Sequence, residues 1–242
     1  MRPPPDAPGG ETPPVVKRSR LHLGRMRKLS PEREALLADK LPGLRVTLGE
    51  NESLDPSTLC RPPAETVRLE IGFGAGEHLL HQALEHPECL HIGCEPYPAG
   101  VARLLADMGD ADNIRIYDGD AFDLLSALKP ASISRCYMMF PDPWPKKRHG
   151  KRRMTRMEIV EQLARILKQG AELRIATDSG VFAGWMLANM RRCKSFVWDA
   201  GCSRDWREPR ESYPPTRYEL KARRGERAVM YLNFRRLDDN GL

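Results

Sequence analysis

The sequence predicts an α/β fold, a mostly parallel sheet with helices on both faces. Three observations predict it. From Val67 onward, short apolar runs alternate with amphipathic stretches, which is the pattern of βαβ units. The first run ends in glycines at 72, 74 and 76, which let a backbone turn tightly and approach a ligand closely. Acids then recur at the ends of successive strands, where open parallel sheets bind their ligands.

The elements follow in order. Residues 1–14 hold six of the chain's 21 prolines with Gly9 and Gly10, a composition that forms no core. Lys17, Arg18, Arg20, Arg25, Arg27 and Lys28 come next. Residues 1–28 therefore read as a flexible tail, either solvated or laid on an anionic partner, and 29–242 as a single domain. A first helix is expected from Ser30, a good N-cap, through Pro31 to about Lys40, ahead of Pro42. The Pro- and Gly-rich stretch 42–64 reads as a long connection. Strands are predicted at Val67–Ile71, Leu90–Cys94, Ile114–Tyr117, Cys136–Phe140 and Glu172–Ala176. Helices are predicted at Glu77–Glu85, Ala99–Met108, Phe122–Leu128, Glu158–Leu167 and Val181–Met190. A last strand, Ala228–Phe234, has Ser195–Trp198 as its candidate partner.

Composition narrows the function. The 242 residues are 40% hydrophobic and 30% charged, as in ordinary globular proteins. No apolar run approaches the roughly 18–20 residues of a membrane span, and no signal-peptide h-region is visible. Six scattered cysteines without a C-x-x-C pair suit a reducing compartment, so a cytoplasmic protein without a metal site is expected. Cys89, His91 and Cys94 surround an apolar strand and read as core. Lys and Arg outnumber Asp and Glu by 39 to 33, a net charge of +6, which is compatible with nucleic acid or with other anionic substrates.

The pocket itself is acidic. Glu70 precedes the glycine loop, and Glu95 ends the second strand 19 residues after Gly76, where an acid commonly binds a ribose. Asp118 and Asp120 follow the third strand and Asp142 the fourth. Carboxylates repel the phosphates of NAD, FAD and ATP. S-adenosylmethionine carries no phosphate but bears an ammonium and a sulfonium, which suit such a ring. Glu77 also stands where a dinucleotide fingerprint needs its third glycine. The cofactor-binding set is therefore Glu70, Gly72, Gly74, Gly76, Glu95, Asp120 and Asp142.

Phe140 to Pro145 places three prolines around Asp142 and Trp144. Prolines fix φ, so this stiff loop holds Asp142 in place as the candidate catalytic residue. One proline separates it from the [DNS]-P-P-[YFW] motif of amino-group methyltransferases. Residues 146–153 then carry six Lys or Arg in eight positions. Beside a reaction centre, such a run suits the phosphates flanking a target base better than a merely solvated face.

Two of these segments resemble one family. Leu69 to Gly76 is similar to the first motif of class I methyltransferases, and Phe140-Pro-Asp-Pro-Trp-Pro-Lys-Lys-Arg-His149 to the signature of bacterial tRNA (guanine-N7)-methyltransferases. Thr216-Arg217-Tyr218-Glu219 resembles that family's T-[KR]-[FY]-E element. The similarity runs in order from about Arg18 to Phe234. It implies a Rossmann-like, seven-stranded class I methyltransferase fold and methyl transfer to guanine N7 in the tRNA variable loop (position 46). It also implies substrate contacts from Lys146, Asp178, Thr216, Arg217, Tyr218 and Glu219. Asp178 and Glu219 are acceptors suited to guanine N1–H and the 2-amino group. The alternatives are methylation of another RNA base, or a catalytically silent RNA-binding protein on the same fold. The intact acidic set argues against silence.

Overall fold

The computed structural model describes residues 28–49 and 53–238. Most of the proposed tail lies outside them. A seven-stranded sheet forms from β1 (Val67–Ile71), β2 (Leu90–Cys94), β3 (Ile114–Tyr117), β4 (Ile133–Met139), β5 (Leu167–Thr177), β6 (Phe196–Trp198) and β7 (Met230–Arg236). Its order is β3-β2-β1-β4-β5-β7-β6. Strands β1 to β5 pair in parallel, whereas β7 runs antiparallel between β5 and β6. The expected pairing of the last strand with 195–198 is thus present. The order reverses between β1 and β4, which opens a crevice at their carboxyl ends.

Helices α1 (Pro31–Leu44), α2 (Glu77–Glu85), α3 (Pro98–Asp107), α4 (Ala121–Ala127), α5 (Met157–Ile166), α6 (Gly180–Cys193) and α7 (Arg217–Arg224) complete the chain. One buried cluster packs Leu124, Val160, Leu163, Phe182 and Met186 of α4, α5 and α6 on Leu69, Cys136 and Leu173 of the sheet. A second joins Leu41, Leu79, Leu104 and Leu105 of α1, α2 and α3 with Ile114 and Ile116. The α2 side of β4, β5 and β7 is polar instead. Arg135, Tyr137, Glu172 and Arg174 alternate with core residues there, as period-2 strands require.

Two expectations need correction. α1 continues through Pro42. Leu37, Leu41 and Leu44 pack into the second cluster, and a proline in the last turn forfeits only one backbone bond there. β5 begins at Leu167 rather than Glu172, because Leu167 pairs with Ile133 before a register shift to Arg135 and Glu172. Cys89, His91 and Cys94 are buried, as their core reading expects.

Candidate active site

The glycine loop joins β1 to α2. Gly76 caps α2 at φ +85°, and a Cβ there would strike Leu104 at 2.7 Å, so the turn and its packing both require glycine. Gly74 N–H donates to Oε2 of Glu95 at 2.8 Å, and Tyr97 N–H donates to its Oε1 at 3.0 Å. Glu95 is thereby locked at the carboxyl end of β2. Burial raises its pKa, and the two N–H donors only partly oppose that. Each carboxylate oxygen keeps acceptor capacity for a further donor.

Glu70 takes a different position from an open pocket acid. It is buried on β1, with Nδ1 of His78 2.7 Å from its Oε2. His78 is itself buried against the rings of Tyr137 and Tyr213. Asp120 caps α4 by accepting from Phe122 N–H at 2.9 Å. Asp118 forms a two-bond clamp with Arg45, at 3.1 and 2.9 Å.

After β4 the chain bends through two non-glycine residues in the left-handed region, Phe140 at φ +55° and Trp144 at φ +43°. Each costs about 1–2 kcal/mol, strain of the kind that concentrates at functional sites. Phe140 N–H donates to Ala176 O, which ties the bend to β5. Asp142 sits between the two strained residues. Its side chain reaches solvent, yet partial desolvation by the cleft raises its pKa. Lys146 is exposed and precedes a 3₁₀ turn, Lys147–Arg152. Lys147, Arg148, Lys151 and Arg152 are exposed, and Arg152 lies 4.9 Å from the Trp144 ring. Arg153 turns inward and donates to the carbonyls of Trp144, Pro145 and Lys146 at 3.0, 3.3 and 3.3 Å.

The fourth wall comes from residues 199–216, a strap that crosses the polar side of the sheet and ends at α7. Glu211 anchors it: one oxygen lies 2.6 Å from Nη1 of Arg174, and the other accepts from Gln82 and Tyr137. Thr216, buried, caps α7 by accepting from Glu219 N–H at 3.2 Å. Glu219 is buried too. Its Oε1 accepts from Arg223 at 2.6 Å and Tyr231 at 3.0 Å, while Oε2 has no hydrogen-bond partner. Tyr218 and Arg217 lie over the glycine loop, 3.2 and 3.4 Å from where a Gly74 Cβ would stand. Tyr218 also stacks on Phe140 at 6.5 Å between centroids. Asp178, after β5, pairs with Arg227 at 2.9 Å.

The Methyltransf_4 family of methyltransferases matches residues 64–232. A Nitrobacter hamburgensis tRNA (guanine-N(7)-)-methyltransferase is 42% identical over 88% of this chain and 84% of its own length. The Nitrobacter winogradskyi protein of the same name is 40% identical over 97% and 94%. This chain belongs to the tRNA (guanine-N7)-methyltransferase family. Among solved structures, the 16S rRNA methyltransferase KamB has a TM-score of 0.54 at 15% identity, covering 78% of this chain and 96% of its own. The aminoglycoside resistance methyltransferase NpmB1 has 0.51 at 16%, covering 72% and 88%. Those two likenesses concern the fold, which is the expected Rossmann-like class I methyltransferase fold.

In this methyltransferase, Gly74, Glu95, Asp142, Arg217 and Tyr218 converge on one crevice. Both Arg217 and Asp142 act electrostatically on Glu95. Glu70, Thr216 and Glu219 lie a layer deeper than the sequence alone implies. Sequence reasoning missed the His78 partner of Glu70, the inward turn of Arg153, the Glu211 anchor and the Phe140–Tyr218 stack. The Glu211 anchor and the Phe140–Tyr218 stack join residues distant in the chain, and the other two join residues seven to nine apart. His78 alone had a local signal, as the second residue of a helix opening on the glycine loop. Among the described residues there is no cluster of three potential metal ligands, and no helix is long and apolar enough to cross a membrane.

Proposed function

We propose that the crevice binds S-adenosylmethionine and transfers its methyl group to N7 of a guanine in tRNA. The supporting observation is the convergence of the Glu95-locked glycine loop with a strained, proline-stiffened loop carrying Asp142. The donor set fits the cofactor. Glu95 is held by two backbone N–H groups and can still accept from ribose hydroxyls. Gly74 leaves a backbone approach that a side chain would fill. The carboxylates of Glu95 and Asp142 suit the cationic groups of that ligand.

When bound, S-adenosylmethionine supplies an electrophilic methyl carbon on its sulfonium. Guanine N7 carries a lone pair and has no proton to lose, so the protein's task is alignment and charge stabilisation. Asp142 orients the base and stabilises positive charge as it passes from sulfur to the purine. Lys146 and the exposed cations of the 3₁₀ turn hold the flanking phosphates, which position RNA without reading its sequence. Tyr218 and Phe140 offer aromatic faces, and Asp178 is an acceptor for the base once RNA displaces Arg227. Buried Glu219 steadies α7 through Tyr231 and Arg223 instead of meeting the base. The N7 of a variable-loop guanine is the target that the family resemblance favours, and a tRNA substrate implies the cytoplasm.

Incubation of the protein with methyl-labelled S-adenosylmethionine and unmodified tRNA, followed by nucleoside analysis, tests this. Labelled 7-methylguanosine is expected. Label in another nucleoside would replace the N7 reading, and no label would remove the activity.

A further inference from the structure

We propose that Arg217 binds the carboxylate of the cofactor's amino-acid tail, so that the first residue of α7 belongs to the cofactor site rather than to the RNA surface. The inference rests on the S-adenosylmethionine reading and adds a partner that the acidic set cannot supply. That ligand carries an ammonium, a sulfonium and two ribose hydroxyls, all suited to carboxylates. It also carries one carboxylate, which Glu77, Glu95 and Asp142 would repel. A cation beside the glycine loop would offset that repulsion.

Arg217 is placed to supply it. Its Nη2 lies 3.4 Å from where a Gly74 Cβ would stand, so the guanidinium borders the space that the missing side chain leaves. Its guanidinium sits 4.9 Å from the Tyr218 ring centroid, and its polar contacts are long. Nε is 3.9 Å from Glu77, and Nη2 donates to the Tyr218 hydroxyl at 3.4 Å, both at the outer limit of useful contact. A guanidinium so placed gains by taking a carboxylate in two parallel N–H···O bonds near 2.8 Å, about the usual charge-assisted length. Three further arginines are held elsewhere: Arg223 by Glu219, Arg227 by Asp178, and Arg153 by three carbonyls. The helix that carries Arg217 is fixed beneath by the Thr216 cap and by buried Ala222. Its first turn is thus already in place over the loop. S-adenosylhomocysteine keeps the same carboxylate, so the contact holds both the substrate and product forms.

Calorimetric titration of the wild type and Arg217→Ala with S-adenosylmethionine, S-adenosylhomocysteine and decarboxylated S-adenosylmethionine tests the assignment. The variant should lose at least tenfold in affinity for the two carboxylate-bearing ligands. Its affinity for the decarboxylated ligand should be unchanged or tighter, because a repelling cation has gone; this also reports an intact fold. Unmodified tRNA should bind both proteins alike. Equal losses for all three ligands would overturn the proposal, as would unchanged cofactor binding together with weakened tRNA binding. If the wild type itself binds none of the three, the cofactor reading fails and this inference falls with it.

Discussion

The guanidinium of Arg153 lies 3.8 Å from the ring centroid of Trp185 on α6. Stacked there, it points its N–H groups at three successive carbonyls of the Asp142 loop. It therefore braces the loop that carries Asp142 while its neighbours in the basic run face solvent. Arg153→Ala should lower kcat by about tenfold to a hundredfold, the scale of a small misplacement at a reacting centre. KM for tRNA and its salt dependence should hardly move. Arg153→Lys should fail to rescue, since an ammonium lacks the planar fork. Full rescue by lysine, read from steady-state kinetics, would reassign Arg153 to phosphate binding.

Asp142→Asn keeps the loop's shape and removes its charge. Turnover should fall by about 10²–10³, as when one preorganised electrostatic partner is lost. The single-turnover rate should gain nothing between about pH 7 and pH 9, because no general base is missing. A tRNA with 7-deazaguanine at the target position should bind but stay unmethylated. Near-normal turnover of the variant would refute the electrostatic role.

Replacing Lys147, Arg148, Lys151 and Arg152 with serine should weaken tRNA binding. The slope of log affinity against log salt should drop by roughly 0.7 for each phosphate that is no longer neutralised, the single-strand value. Affinity for S-adenosylmethionine should stay within error. A filter-binding series at several salt concentrations measures this, and an unaltered slope would mark the run as a solvated face.

Glu211 links the strap to the sheet electrostatically. Burial would raise its pKa, but the Arg174 pairing and the adjoining Arg135 outweigh that and hold it below the ordinary 4.5. A depressed carboxylate adds stability above its unfolded pKa and loses it as pH falls through the folded value. Glu211→Gln should therefore cost about 1.5–3 kcal/mol at neutral pH, the range for hydrogen bonds to charged groups. It should also flatten the decline in stability below pH 4.5. Urea denaturation across pH tests both effects, and an unchanged acid limb would assign the strap's hold to other residues.

Local pattern carried most of this architecture. Val67–Ile71, Glu77–Glu85, Leu90–Cys94 and Ile114–Tyr117 have the bounds their apolar spacing predicts. α7 went unread because Arg-Tyr-Glu-Leu-Lys-Ala-Arg-Arg buries only Glu219 and Ala222, which makes no apolar stripe for a periodicity argument to find. Pro42 misled because packing overrides a local helix breaker: Leu41 before it is buried and Leu44 after it packs on the second cluster. At the site, glycines and strand-end acids identify the crevice, but which acids face it depends on partners elsewhere. Glu70 is withdrawn by His78 eight residues away, and Glu211 meets Tyr137 across 74 residues. No local motif encodes such a pairing.

Because β7 is inserted between β5 and β6, the sheet cannot join β6 to its interior until the chain through Arg236 has been synthesised. Tyr231, which sits on that strand, also supplies a hydrogen bond to Glu219. Without β7 the pairings of β1 to β5 remain available, yet α7 lacks that support. The crevice should thus need β7 to be complete, and a deletion that removes Tyr231 with the rest of that strand should weaken ligand capture more than it disturbs the parallel pairing of β1 to β5.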